Sequence, residues 1–210
     1  MTRFPIRRLG AALLGATLVA GTLSACAPLL LGGAVVGGSL LVTDRRSSGA
    51  QLDDQAIELK AANRVAEVLR DRGRISITSY NRQVLLTGEV VNEADKAAAE
   101  QTVGRIDGVR SIVNELTVGP GPTLTARSND AVISGKVKAS FVDAADLHAN
   151  AVKVVTERGV VYLMGRVTER EATRASEIAR GVGGVTKVVR MFEIVTDREL
   201  TDQLPRSGRS

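Results

Sequence analysis

The stretch Gln83-Val-Leu-Leu-Thr-Gly-Glu-Val90 returns later in the chain as Val160-Val-Tyr-Leu-Met-Gly-Arg-Val167, with Gly88 aligned to Gly165 at a spacing of 77 residues. After one residue drops out, the segments that follow repeat at a spacing of 76: residues 92–95 match 168–171, and residues 106–109 match 182–185. Self-similarity of this kind is the sequence signature of a duplicated structural unit. The chain therefore contains one domain twice.

Each copy of the repeat carries the same order of helical and strand patterns. A helical pattern with apolar residues three and four apart comes first, at 53–72 and at 129–147. Two strands joined by a short turn follow, then an alanine-rich helix, a glycine and a last strand. These later elements are predicted at 74–80, 83–90, 93–106 and 109–118 in the first copy, and at 151–156, 160–167, 169–182 and 185–195 in the second. The order αββαβ predicts an α+β fold in which each copy is a three-stranded mixed sheet with two helices on one face, the other face being open.

The αββαβ unit, its Val-x-Leu-x-Gly-x-Val strand and its helix followed by Gly-Val resemble the BON domain family. Two such domains behind an export signal are similar to the tandem BON-domain lipoproteins of the bacterial outer membrane. The predicted organisation is a lipoprotein signal peptide at 1–25, a lipidated apolar and glycine-rich linker at 26–52, a first BON domain at 53–118, a linker at 119–128, a second BON domain at 129–196 and a disordered tail at 197–210.

The beginning of the chain has the order of an export signal, because three arginines precede an apolar run and small residues follow it. The run ends in Leu23-Ser24-Ala25-Cys26, which resembles the bacterial lipobox, and Cys26 is the only cysteine in the sequence. The resemblance implies cleavage before Cys26 and acylation of its thiol and of the new amino terminus. The alternatives are a buried structural thiol or a single membrane-spanning anchor. Ala27, in place of Asp, after the modified residue implies delivery to the outer membrane.

Composition argues against nucleic acid as a partner. Loss of the leader removes Arg3, Arg7 and Arg8 and no acid, which lowers the formal net charge from +5 to +2. Aromatic residues make up only 2% of the chain and there is no Trp, so a base-stacking surface is not expected.

Catalysis, a metal site and a cofactor are likewise not predicted. His148 is the only histidine, and no serine, carboxylate or ligand cluster has the spacing that such chemistry needs. The pair Asp53-Asp54 is interpreted as carboxylates at the start of a helix, where its dipole favours them. The cluster Asp44-Arg45-Arg46 fits either a solvated linker or a lipid headgroup contact, and the solvated linker is favoured.

The opening helix of the second copy has an unusual outer face. With Val137 at the centre of the buried side, the 100° helical step buries Asp130, Ile133, Ser134 and Phe141 and turns Val132, Gly135, Ala139 and Val142 outward. Lys136 and Lys138 fall on either flank of this apolar strip. The corresponding face of the first opening helix carries Ala56, Lys60, Asn63, Glu67 and Arg70 and is interpreted as ordinary solvated surface.

An apolar strip with basic edges suits the interface of an anionic phospholipid membrane. The alternative is that the strip packs on the first domain or on the linker. The family resemblance favours the membrane, since it implies bilayer contact by this stretch of the second domain, with a Trp in one member where Val132 stands here. It also implies a non-enzymatic envelope protein that supports outer-membrane integrity and gathers at division sites. The competing hypothesis is an interaction scaffold whose strip and open sheet faces bind envelope proteins.

Overall fold

The computed structural model describes residues 44–202. The predicted signal peptide, the acylation site at Cys26, the apolar stretch that follows it and the end of the tail lie outside the described residues. Within residues 44–202, no helix combines the length and the hydropathy that a membrane span requires.

The first domain is built around a central strand that pairs on both sides. Strand β2 runs antiparallel to β1 and parallel to β3 and β4, which form one interrupted third strand. The interruption lies at residues 115–116, where the backbone N–H of the buried Leu116 donates to the side chain of Asn114. The elements are α1 Ser48–Leu69, β1 Gly73–Tyr80, β2 Gln83–Val90, α2 Glu93–Gly104, β3 Ser111–Asn114 and β4 Thr117–Val118.

The second domain repeats this order and confirms the predicted αββαβ fold. Its sheet has the order β5-β6-β7, antiparallel between the first two strands and parallel between the last two. The elements are α3 Leu124–Asp143, β5 Val152–Glu157, β6 Val160–Val167, α4 Glu169–Gly181, β7 Lys187–Ile194 and the short helix α5 Asp197–Asp202.

The opening helices begin five residues earlier than their apolar periodicity predicts. The side chains of Ser47 and Thr123, which are equivalent in the repeat, accept the N-terminal backbone N–H groups of α1 and α3. Periodicity marks where a helix becomes buried, whereas the cap marks where it starts. The tail expected to be disordered from Asp197 instead begins as helix α5, where Thr196 and Glu199 cap each other's backbone N–H groups.

Each sheet buries one face under its own two helices. In β2, Val84, Leu86 and Val90 point toward α1 and α2, and in β6 the residues Val161 and Leu163 occupy the matching positions under α3 and α4. The glycine of the repeated strand is required by close packing, since a Cβ at Gly88 would overlap the carbonyl of Arg74 and one at Gly165 would overlap that of Ala151. Each domain therefore has its own hydrophobic core.

The sheet faces that the sequence leaves open pack against each other. Leu85 in β2 and Tyr80 in β1 form one buried cluster with Tyr162 and Met164 in β6 and with Met191 in β7. Polar contacts surround this cluster: Lys153 donates to Glu58 at 3.3 Å, Arg158 donates to Glu89 at 3.2 Å, and Asn81 donates to Glu193. The two domains thus form four layers with the helices outside. The expectation of open sheet faces that could receive a partner is wrong, because each domain covers the other.

Candidate membrane-binding site

The outer strip of α3 is exposed as the sequence predicts. Asp130, Ile133, Val137 and Phe141 are buried beneath the helix. Val132 is 55% exposed and Val142 is 71% exposed, and Gly135 and Ala139 between them are exposed as well. No part of the chain that the structure describes covers this strip. The alternative in which it packs on the first domain or on the linker is therefore not seen within residues 44–202.

The two lysines that flank the strip lie in different grooves. Lys136 and Val132 line a groove of about 750 Å³, the outer groove, together with Pro122 and Gly184. Lys138 and Val142 line a second groove of about 340 Å³. Neither lysine forms an ion pair with any carboxylate in residues 44–202. All six predicted residues thus occur on one helix face, but its two ends adjoin different surroundings.

Residues 44–46, here named the strap, fasten the two domains together. The guanidinium of Arg45 makes paired hydrogen bonds to Glu171 of the second domain at 2.7 and 2.8 Å. Arg46 donates to Asp54 of the first domain at 2.8 Å and lies 4.2 Å from the ring centre of Tyr80. The interpretation of these residues as a solvated linker is wrong, because both arginines are mostly buried and paired.

The buried carboxylate of Asp54 shapes the first hairpin turn. It accepts the backbone N–H groups of Asn81 and Arg82, both at 2.7 Å, and these two turn residues have positive φ angles of 48° and 68°. That conformation is costly for residues other than glycine, so the two hydrogen bonds help to hold it. Burial raises the pKa of Asp54, but the hydrogen bonds from Arg82, Ser79, Arg46 and Asn81 outweigh it and hold this pKa below its usual value.

The interpretation of Asp53-Asp54 as carboxylates at a helix start is therefore wrong. Helix α1 begins at Ser48, so the pair lies in its second turn, where Asp53 binds Arg82 at the surface and Asp54 supports the hairpin. The repeat carries a signal that could have shown this, since Asp130 stands 76 residues later. Asp130 accepts the N–H groups of Arg158 and Gly159 at 2.9 and 2.8 Å in the second hairpin.

The carboxylate of Glu171 takes part in three interactions. It forms a capping box with Thr168 at the start of α4, it binds Arg45 of the strap, and it lies 3.2 Å from the Nδ1 atom of the exposed His148. Burial raises the pKa of Glu171, but the hydrogen bonds from Arg45, the Thr168 backbone and His148 outweigh it and lower this pKa to about 2. Glu171 therefore remains charged over the whole physiological range.

Comparison with known proteins identifies the repeated unit. A model of the BON domain matches residues 53–120 and again residues 129–196. The chain belongs to the BON domain family. This BON protein is 36% identical to the outer membrane lipoprotein DolP of Haemophilus influenzae over 195 residues, which cover 92% of this chain and 98% of that protein.

Two further relatives share most of the chain. The 21 kDa hemolysin of Actinobacillus pleuropneumoniae is 32% identical and covers 72% of this chain and 79% of its own length. The osmotically-inducible protein Y of Escherichia coli strain K12 is 30% identical, with coverages of 67% and 72%. None of these three names is that of an enzyme. The near full-length match to DolP identifies this BON protein as a lipid-anchored protein of the outer membrane.

Proposed function

We propose that this BON protein is a non-enzymatic lipoprotein that binds anionic phospholipid through the outer strip of α3 and thereby supports the integrity of the outer membrane, including at division sites. The observation that carries the proposal is the strip itself. Val132 and Val142 are well exposed at its two ends, and Lys136 and Lys138 flank it without an ion-pair partner among the described residues. A protein surface of this kind gains free energy when its apolar side chains enter the membrane interface.

The chemistry of the strip predicts a weak membrane contact. Each lysine near an anionic surface contributes about 1 kcal/mol, and the two valines add only a small apolar area. The strip has no aromatic side chain to anchor it at the interface. Residence at the membrane would therefore come from the lipid anchor, while the strip orients the domains and selects lipid charge.

Flotation of the anchorless chain on lipid vesicles tests the proposal. A fragment comprising residues 44–210 contains both hydrophobic cores and both opening helices. We expect it to float with vesicles of phosphatidylglycerol mixed into phosphatidylcholine and to stay unbound with phosphatidylcholine alone. Equal recovery with the two kinds of vesicle would contradict binding to anionic phospholipid.

A pair of matched double variants tests the location of the contact. Val132→Glu with Val142→Glu places acids on the strip, and we expect vesicle binding to be lost. Ala56→Glu with Ala66→Glu changes the equivalent exposed positions of α1 and serves as the control, which should float like the parent fragment. In cells, the strip variant should also fail to restore resistance to large antibiotics that an intact outer membrane excludes. If vesicle binding survives in the strip variant while cross-linking to an envelope protein is lost, the scaffold hypothesis is correct instead.

A further inference from the structure

The smaller of the two grooves, here named the strap groove, lies where the strap and both domains meet. Its lining includes Arg46 of the strap, Tyr80 of the first domain, Lys138 and Val142 of α3, and Lys153 of β5. The groove therefore presents three cationic side chains next to the most exposed valine of the strip. Asp44 supplies the carboxylate among the residues that line it.

The charges in the strap groove are not all committed to partners. Arg46 is saturated, since it donates both to Asp44 and to Asp54. Lys153 makes two longer contacts, of 3.3 Å to Glu58 and 3.4 Å to the carbonyl of Ser79, and its side chain is 37% exposed. Lys138 has no ion pair within residues 44–202. An anion that enters the groove therefore meets one free ammonium group and one partly free ammonium group.

The outer groove, on the other side of the strip, offers less to an anion. Its guanidinium, that of Arg158, is held by Glu89 and by the carbonyl of Pro120. The buried carboxylate of Asp130 lines the same groove and opposes an incoming negative charge. Lys136 is thus the one cation in the outer groove's lining that is free of such contacts within residues 44–202.

We propose that the phosphate headgroup of an anionic phospholipid binds in the strap groove between Lys138 and Lys153. This inference rests on the proposed function and assigns the headgroup to one end of the strip. Two observations support that end: the excess of uncommitted positive charge, and the position of the strap, whose Asp44 follows Cys26 by 18 residues in the sequence. The groove is thus formed by the part of the body that leads to the lipid anchor, and anchor and headgroup belong to the same leaflet.

Arg45 ties the strap to the second domain, whereas Arg46 ties it to Asp54 of the first domain. Arg45 is bound to Glu171 by two hydrogen bonds and to the carbonyl of Arg166 by a third at 3.1 Å. Loss of these bonds would free Asp44 and Arg46 from the second domain. Headgroup binding therefore depends on Arg45, although this residue does not line the groove.

A comparison of two neighbouring lysines tests the assignment. Lys138→Ala and Lys136→Ala each remove one exposed, unpaired ammonium group from the same helix, so neither should alter folding. With the 44–210 fragment and phosphatidylglycerol-containing vesicles, we expect Lys138→Ala to weaken binding about tenfold and Lys136→Ala to weaken it about twofold or less. Equal losses, or a larger loss with Lys136→Ala, would overturn the strap-groove assignment while leaving the membrane function of the strip intact. A parent fragment without preference for anionic vesicles would instead refute the proposed function.

Arg45→Ala tests the dependence on the strap. We expect about tenfold weaker vesicle binding, and no further loss when Lys138→Ala is added, because both changes remove the same interaction. If the loss of vesicle affinity in the double variant equals the product of the two single losses, the strap does not contribute to the headgroup site. If circular dichroism shows that Arg45→Ala is unfolded, Arg45→Lys replaces it, since lysine keeps the charge but not the paired hydrogen bonds. Unchanged binding in a folded Arg45 variant would likewise overturn the dependence.

Discussion

In the first domain, Asp54 accepts the backbone N–H groups of the hairpin turn and also forms an ion pair with Arg46. In the second domain, the equivalent Asp130 accepts the N–H groups of its turn but forms no ion pair within residues 44–202. The position of Arg46, just before the helix cap, is taken by Pro122 in the second domain, so the equivalent side chain cannot reach across. The duplicated copies therefore keep the carboxylate that shapes the chain and differ in the residues around it. In the first domain the strap lies beside this carboxylate, and in the second domain the outer groove lies beside it.

The outer faces of the two opening helices differ in a second way. In α3 the exposed apolar residues form a continuous strip between two lysines. In α1 the face predicted to be solvated is exposed, but Leu52 and Leu59 are also each 65% exposed, which the helical periodicity did not indicate. Leu59 corresponds to Gly135 in the repeat. A large exposed side chain of α1 thus stands where α3 has glycine, whereas Ala56 and Ala66 of α1 stand where α3 has Val132 and Val142.

Substitution of the repeated glycines has the largest expected effect on stability. At Gly88 a Cβ would overlap the Arg74 carbonyl, and the residue also has a positive φ of 114°, whereas Gly165 has the overlap alone. We expect Gly88→Ala to lower the free energy of unfolding by about 5 kcal/mol and Gly165→Ala by about 3 kcal/mol. Urea denaturation of the 44–210 fragment measures both. A larger effect at Gly165 would show that the backbone angle at Gly88 is not strained for alanine.

The equivalent aspartates Asp54 and Asp130 are expected to differ in their contribution to stability. Asp54→Ala leaves Arg46 with one partner fewer and removes three further hydrogen bonds, so we expect a loss of about 4 kcal/mol in the free energy of unfolding. Asp130→Ala removes two hydrogen bonds and should cost about 2 kcal/mol. The same denaturation assay compares them. Equal costs would mean that the Arg46 contact contributes nothing to stability.

The acids that begin the second helix of each domain allow a pH test. Glu171 has a folded pKa of about 2 against an ordinary value of 4.5, so the unfolded state binds more protons between these values. Its contribution, about 3 kcal/mol, is therefore complete above about pH 4.5 and is lost as the pH falls to about 2. Urea denaturation across this window should show that the free energy of unfolding falls with decreasing pH in the parent fragment and falls less steeply in Arg45→Ala. The control is Arg72→Ala. It removes the exposed arginine that pairs with Asp95, the residue equivalent to Glu171, and should leave the pH dependence caused by Glu171 unchanged.

The smallest expected effect is at Gly135 and Leu59. Nothing lies within 4 Å of a Cβ at Gly135, which sits inside helix α3. Gly135→Ala should raise the free energy of unfolding by about 1 kcal/mol, because alanine favours a helix. Leu59→Ala should change it by less than about 0.5 kcal/mol, since the side chain is mostly exposed. A destabilised Gly135→Ala variant would show that the strip has a neighbour close to its centre.

The fold was predictable because its signals are local and occur twice. Helical periodicity, hairpin turns and the glycine spacing each depend on a few neighbouring residues. The packing of the two sheets also left a trace, since Leu85-Leu86 and Tyr162-Leu163-Met164 place apolar residues on both faces of the central strands. The strap left no such trace, because Arg45 and Glu171 are 126 residues apart and their pairing depends on how the domains dock. For the same reason the sequence located the strip but not the groove at its end.

The strap also determines how mechanical load enters the molecule. Tension transmitted from the anchor to Asp44 meets a point where the next two residues are tied to different domains. A pull is therefore shared between both halves and acts first on charged contacts, before the first turn of α1 begins to unravel. The two domains would therefore stay together when a force acts on the lipid anchor.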